Sequence, residues 1–400
     1  MEPHLRYQRI AEISAVFTPG SPVNTLDLFA GRKDQILALL AVLGQRGQHA
    51  VLYGERGVGK TSFANILTDL FHDKSATPIA AVRVNCASDD TFASLWASIF
   101  RRLRVSVDED RPLTPEHVVD LLEQQSRRPL IVIDELDRYE NDDGLSLMAD
   151  TIKALSDHAV PATLMLVGVA DSINQLIGDH RSVERALVQI QMPRMSVAEL
   201  ELIVDKGLSK LRMTISRHSK TRIARLSEGL PFYTHLLSRS AAIHAAEDDR
   251  AAISERDLDR ATQDAVDKAQ QSILSDYEKA IRSAHTDNLY KEVLLACALT
   301  DKTAEGFFSP GNVRLPMARI TGKNVTISAY SRHLNEFAGA HRAAVLVKDG
   351  SPRRYFYRFT NPILQPYVVL RGIADGLMTE DLLTELRHPG KDSIELPEQA

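Results

Sequence analysis

Cysteine is scarce: the 400-residue chain has two, Cys86 and Cys297. Far apart and each set in an apolar stretch, they exclude a disulfide framework and a thiolate metal site, and both are expected to be reduced core residues. Long apolar runs are missing as well. No stretch approaches the roughly 18 residues that a spanning helix needs, and residues 1–9 carry charges without the apolar centre of a secretory leader. The chain is therefore expected to be cytoplasmic, with no membrane partner. With 20 glycines and 17 prolines there is too little of either for a fibrous or low-complexity protein. Neither charge dominates, since 48 Lys and Arg face 53 Asp and Glu for a net charge of −5. A nucleic-acid surface must then be local. The 13 histidines show no metal-ligand spacing, and no internal repeat of about 20–50 residues is visible. What is present is the composition of a soluble globular protein, 44% apolar and 25% charged, long enough for two or three domains.

The chain is organised around His49-Ala50-Val51-Leu52-Tyr53-Gly54-Glu55-Arg56-Gly57-Val58-Gly59-Lys60-Thr61-Ser62. An apolar strand feeds Gly54-x-x-x-x-Gly59-Lys60-Thr61, and an amphipathic helix pattern follows over 62–71. Strand, glycine loop and helix form the context that a Walker A phosphate loop requires. The glycines let backbone N–H groups between Gly54 and Ser62 turn onto a polyphosphate, and the new helix aims its positive end at the same anion. Lys60 is expected to reach the β and γ phosphates of ATP, and the Thr61 hydroxyl to ligate Mg²⁺. An ordinary strand-to-helix turn is the alternative.

Ahead of this loop, residues 13–32 look extended and turn-rich, ending in Phe29-Ala30-Gly31-Arg32. That lead-in is placed either to sandwich the adenine or to cover a sheet edge. A helix is expected over 34–45. After the loop come a strand at 79–85, a helix at 92–103, and a helix at 115–125 opened by Thr114 as N-cap with Pro115 in the first turn.

Next stands Pro129-Leu130-Ile131-Val132-Ile133-Asp134-Glu135-Leu136-Asp137. A buried apolar strand carries two carboxylates at its C-terminal end, where ligands bind in parallel sheets. This is a Walker B pattern, with Asp134 expected to hold Mg²⁺ through its water shell and Glu135 to orient and polarise the attacking water. A fourth strand at 162–169, a short helix at 173–177 and a fifth strand at 187–192 complete an α/β alternation. Its sheet should be five-stranded and parallel, with helices on both faces.

Beyond residue 195 only helices follow, at 197–211, 219–226, 231–247 and 255–271. Helices continue from about residue 275 through 289–299, with another at 326–337, and then come two strands, 343–347 and 354–359, turned at 348–352. Three helices and a hairpin suggest a winged helix-turn-helix. The expected domains are a nucleotide-binding core at 1–194, an all-α lid at 195–272, a winged helix at 273–380 and a mobile tail at 381–400.

With these motifs the chain resembles an AAA+ ATPase, of the branch that holds the origin-recognition initiators and the STAND signalling ATPases. Ile133-Asp134-Glu135-Leu136-Asp137 is similar to the initiators' Asp-Glu-x-Asp. The resemblance implies that Asp171, where most members have Asn, stands at the sensor 1 position. It implies an arginine finger at Arg185 or Arg181, acting from a neighbouring subunit of a nucleotide-dependent homo-oligomer. The alternative for Arg185 is a surface pair with Glu184 or Asp179. Where sensor 2 would bring an Arg, Gly229-Leu230-Pro231 resembles the STAND Gly-x-Pro signature, whose proline packs on the nucleotide. ATP or ADP and Mg²⁺ are the cofactors so implied.

Residues 312–371 hold ten basic side chains against Glu336 and Asp349, a local charge of +8. On a winged helix this is the footprint of duplex DNA. Ser328, Ser331, Arg332 and Asn335 would face a groove, with Lys348, Arg353 and Arg354 on phosphates. Three outcomes stay open: ATP-controlled DNA engagement, a signalling switch whose winged helix binds protein, and an ATP-driven loader in transposition or phage defence.

Overall fold

A computed structural model describes residues 3–72, 79–108, 110–169, 181–284, 288–352 and 354–387. The chain divides into two compact units, Thr18–Lys206 and Met1–Phe17 together with Gly207–Ala400.

The first unit is built on a parallel sheet of β1 His49–Tyr53, β2 Ile79–Asn85, β3 Arg128–Asp134, β4 Thr163–Gly168 and β5 Leu187–Gln191, in the order β2-β3-β4-β1-β5. Every residue of β4 is buried and so are six of seven in β3, as strands covered on both faces must be. On one face Trp96, Ile99 and Phe100 of helix Phe92–Leu103 join Val118 and Leu122 of helix Pro115–Glu123. Met148, Ile152 and Leu155 of helix Asp142–Asp157 complete that layer over Ile131, Ile133, Leu164 and Leu166. Removing one large side chain there, such as Trp96→Ala, costs about 3–5 kcal/mol.

Capping explains where these helices start. Thr91 and Ser94 form a reciprocal capping box, and the Thr114 hydroxyl accepts the His117 N–H with Pro115 in the first turn, as read from the sequence. The register sets Asn85 beside Asp134 and Tyr53 beside both Gly168 and Gln191. The turn after β1 and the acidic pair after β3 therefore emerge at one edge of the sheet, on either side of β4.

The second unit is helical. Its lid-like part contains Arg217–Leu226, Pro231–Glu247, Glu255–Asp267 and Gln271–Ile281, with β6 Thr214–Ile215 paired to β7 Ala252–Ile253. Helices Tyr290–Leu299, Arg314–Thr321 and Ile327–Phe337 follow. The antiparallel hairpin of β8 Leu346–Ser351 and β9 Arg354–Phe359 comes next, then Leu364–Ala374. Phe308 adds a third, bridging position by exchanging two 2.8 Å hydrogen bonds with Tyr357. Tyr330, Leu334, Phe337, Phe308 and Cys297 are fully buried there.

Several expectations change. Residues 13–16 are not extended but end the helix Pro3–Val16, because Ile13, Val16 and Phe17 bury together and Phe17 meets His235 edge-on at 5.9 Å. The helix expected over 255–271 ends at Asp267, capped by Lys268, and a separate helix starts at Gln271. The hairpin turn is tighter than expected, since β8 runs on to Ser351. Part of the span read as a tail is a helix, Glu380–Arg387. Arg222 grips both oxygens of Glu380 at 2.6 Å, Arg225 donates to Thr384 at 3.0 Å, and Arg319 pairs with Glu385 at 2.8 Å. Both cysteines are buried thiols. Among the described residues no helix is long and apolar enough to cross a membrane.

Candidate functional site

Gly54 passes so close to β5's exit that an added Cβ would lie 2.3 Å from the Met192 carbonyl oxygen. Gly57 and Gly59 take φ of +89° and +96°, conformations that turn successive N–H groups to one side and disfavour any residue with a Cβ. Helix Lys60–His72 then begins on Lys60 itself. The Lys60 ammonium donates to the carbonyls of Gly54 and Glu55 at 2.8 and 2.9 Å, so it lies across the loop's mouth. Burial pushes this ammonium down to about 8, against the opposing pull of Asp137 and Asp134. Those carboxylates are therefore close enough to matter electrostatically.

Asp134 is nearly fully buried at the end of β3. Its Oδ1 accepts the Glu135 N–H at 2.8 Å, while Oδ2 stands 3.0 Å from the Arg83 guanidinium, an ion pair not aligned as a hydrogen bond. Glu135 has φ of 59°, a left-handed conformation that costs a non-glycine residue roughly 1 kcal/mol. Its carboxylate reaches Arg138 at 3.2 Å across an exposed pair. Thr61 stands one residue into the helix.

Arginines unnoticed in the sequence hold this loop. Arg32 is 3% exposed and donates to the Val58 carbonyl and the Pro193 carbonyl, both at 2.7 Å. Its own N–H is taken by Glu199 at 3.0 Å, on helix Val197–Lys210. Burial pushes the Arg32 guanidinium down, with Glu199 pulling the other way. Arg194 pairs with Glu55 at 2.6 Å, so Glu55 braces the loop from outside. The signals were faint: a Gly-Arg step at Gly31-Arg32, now seen with φ of 70° and 64°, and a single arginine breaking the apolar pattern of β2.

The lead-in runs along the phosphate-loop helix. The Val23 N–H donates to the Ser62 hydroxyl at 3.1 Å, Asn65 meets Asn24 at 2.6 Å, and Phe29 packs on Phe63 at 6.3 Å. Ser62 thus holds the lead-in as well as belonging to the loop. Arg185 sits in the turn before β5, 77% exposed, and pairs with Asp157 at 3.0 Å. β5 begins beside His49, so Arg185 lies at the end of the sheet away from its own phosphate loop, roughly 17 Å at about 3.3 Å per residue. Asp171, like Asp179, and the Arg181 side chain lie outside the described residues. Pro231 opens helix Pro231–Glu247 in the helical unit, after Glu228 and Gly229 at φ of 50° and 79°. Its missing N–H is harmless at that first position.

In the C-terminal module many of the ten basic groups have partners. Arg332 pairs with Glu336 at 2.6 Å, Arg371 with Asp375 at 3.0 Å and Arg319 with Glu385. Arg342 is largely buried, 3.5 Å over the Tyr290 ring, and caps the Ala280 carbonyl at 2.7 Å. Asn335 accepts from Lys348 at 2.7 Å and Tyr357 at 3.0 Å, and donates to Ser331 at 3.1 Å. Its amide is thus engaged within the module instead of pointing outward. Ser328 and Arg354 are exposed, and Arg353 lies outside the described residues.

Residues 44–177 match the family model described as an AAA domain. No curated protein matches the chain. Among solved structures, the Walker-type ATPase PABY2304 of Pyrococcus abyssi is 16% identical, with a TM-score of 0.53 over 89% of this chain and 99% of that one. At that identity the likeness concerns the fold. The Cdc6 protein of Pyrobaculum aerophilum (17% identity, TM-score 0.46, 91% and 99% covered) and the ORC2 protein of Aeropyrum pernix (15%, 0.49, 90% and 97%) are also similar but superpose too loosely to carry weight. The phosphate loop, the strand order and the matched segment agree: residues 44–177 are similar to an AAA domain, within a P-loop α/β sheet of the AAA+ kind.

Proposed function

We propose that this protein binds and hydrolyses ATP with Mg²⁺, and that its nucleotide state controls self-assembly and the engagement of duplex DNA. The observation that carries the first part is the convergence of Lys60, Asp134 and Glu135 at one edge of the sheet, with the Lys60 charge weakened by burial. A partly buried ammonium held by carbonyl oxygens fits a polyphosphate, and a buried carboxylate at the end of β3 fits Mg²⁺. Mg²⁺ when bound would neutralise charge on the phosphates. Lys60, with the N–H groups of the loop, would hold the β and γ phosphates. Thr61 and Asp134 would hold the cation, and Glu135 would accept a proton from water as it turns away from Arg138. Arg185, remote from its own loop, would act on a neighbour's phosphate. Asp171 and Pro231 would report on the nucleotide. For the whole chain we propose a core at 1–194 whose first 17 residues group with the helical unit, a lid at 195–272, a winged helix at 273–380 and a tail at 381–400 that begins within the helix Glu380–Arg387.

Glu135→Gln tests this reading. The amide keeps the volume but cannot take the proton, so ATP should remain bound while turnover falls by roughly 10²–10⁴; turnover at the wild-type rate would move the base elsewhere. Mixing Glu135→Gln with Arg185→Ala chains should restore activity if the finger acts in trans.

For the winged helix, Ser328 and Arg332 would face a groove, and Lys348, Arg353 and Arg354 would meet phosphates, with Asn335 steadying Lys348. A second reading has its own support. Because Arg319 and Arg371 are matched by Glu385 and Asp375, which lie outside the segment, less charge faces outward than the segment's +8 suggests, as suits a signalling switch that binds protein. Duplex binding measured with and without ATP separates the two, since only the first requires affinity that depends on nucleotide.

A further inference from the structure

β2 carries one charged side chain within Ile79-Ala80-Ala81-Val82-Arg83-Val84-Asn85. The strand lies at the edge of the sheet, and its register sets Asn85 beside Asp134. Arg83, two residues before Asn85, therefore shares a face with Asp134. Its guanidinium stands 3.0 Å from Asp134 Oδ2 and donates to Asn85 Oδ1 at 3.0 Å. The other terminal nitrogen donates to Asn65, on the helix that the phosphate loop opens. One cation thus joins β2, β3 and the phosphate-loop helix at a carboxylate that is nearly fully buried.

Little water screens such a pair, so the guanidinium and a divalent cation cannot share Asp134 without strong mutual repulsion. Arg83 also has room to leave. It lines a polar cleft of about 710 Å³ together with Asn24, Asn65, Asp69, Asn85 and Arg102. Asp69 is four residues beyond Asn65 on the same helix, hence on the same face one turn further along. A second carboxylate is therefore available to the guanidinium inside that cleft.

We propose that Arg83 competes with the divalent cation for Asp134, and so sets the cation concentration at which the site takes a nucleotide. When the cation is held, Arg83 turns into the cleft toward Asp69. The inference rests on the reading of Asp134 as the residue that holds Mg²⁺. Arg83 is a positioning residue, acting through Asp134.

The test is a Mg²⁺ titration of the binding of a fluorescent ATP analogue to the full chain, with affinity in EDTA as the reference. Arg83→Gln should lower the Mg²⁺ midpoint at least about tenfold, the order expected for removing one close charge pair, and leave the EDTA affinity unchanged. Asn65→Ala, which frees the guanidinium without touching Asp134, should lower it less, while Asp69→Asn should raise it. Asp134→Asn should raise it most. An unchanged or higher midpoint in Arg83→Gln, with Asp134→Asn still raised, overturns the competition and leaves the reading of Asp134 intact. No effect of Asp134→Asn would remove that reading, and the proposal with it. Should Arg83→Gln fail to fold, Asn65→Ala and Asp69→Asn decide, because opposite shifts are required and equal midpoints refute the idea.

Discussion

Arginine makes different contacts in the two units. In the sheet unit Arg32, Arg83 and Arg194 come from three separate segments and converge on one place, gripping Val58, Asp134 and Glu55 around the phosphate loop. In the helical unit the basic side chains are dispersed. Arg222 and Arg225 fasten the helix Glu380–Arg387, Arg342 fastens the end of Gln271–Ile281, and Arg332 and Arg371 pair within their own helix turns. Arg32 and Arg194 preorganise the site, since they hold the loop in shape before any ligand arrives, while Arg83 occupies the carboxylate beside it. Dispersed pairs hold the scaffold, and they consume charge that a count along the chain assigns to the surface.

Several substitutions can break or sharpen that contrast. The largest effect is expected for Lys60→Ala, which removes the ammonium lying across the loop's mouth. ATP should bind roughly a hundredfold more weakly or worse, measured by fluorescence titration, and unchanged affinity would sink the assignment of the loop.

Next comes a paired comparison. Arg32→Met and Arg342→Met each remove a buried guanidinium from a carbonyl cap, and each should lower unfolding free energy by about 3 kcal/mol, read in denaturant melts. Only Arg32→Met should also weaken ATP, because only Arg32 shapes the phosphate loop through Val58. Equal ATP affinity in the two variants would show that convergence is structural and no more.

The effect of pH is smaller and has two opposite signs. Burial lowers Lys60 from 10.5 to about 8, so between those values the unfolded chain holds more protons than the fold. Stability without ligand should therefore rise with pH across that window. ATP needs the ammonium charged, so its affinity should fall over the same range and binding should take up a proton. Calorimetry at pH 8.5 in buffers of differing ionisation enthalpy detects that uptake; none would mean that Lys60 keeps its proton throughout.

The smallest effect belongs to the helical unit. If the wing meets DNA, Arg354→Ala should shallow the log-log salt slope by about 0.9, in contrast to Arg371→Ala, whose charge is already matched by Asp375. Equal slopes for both would erase the distinction between facing and paired charge, and would favour the protein-binding reading.

The local elements were legible because their causes are local. Thr114 and Pro115 start a helix by their own chemistry, and β3 is a strand because its residues from Pro129 to Ile133 are apolar without interruption. Helix Pro3–Val16 escaped notice because its apolar face is narrow, and it is secured by burying Ile13, Val16 and Phe17 in the fold. Tail residues 380–387 escaped for a similar reason, since their helix is secured by arginines some 160 residues earlier in the chain.

What the sequence determined by itself is the phosphate loop, the acidic pair and the α/β alternation, each of which is written in consecutive residues or in a short period. Only the tertiary structure decided which charges meet. Strand order sets β2 beside β3 and so brings Arg83 to Asp134, the left-handed Gly31-Arg32 turn sends Arg32 to Val58, and docking takes Asn335 and several arginines out of the basic surface. An ionic partner is chosen by distance and burial, and neither exists until the chain has folded.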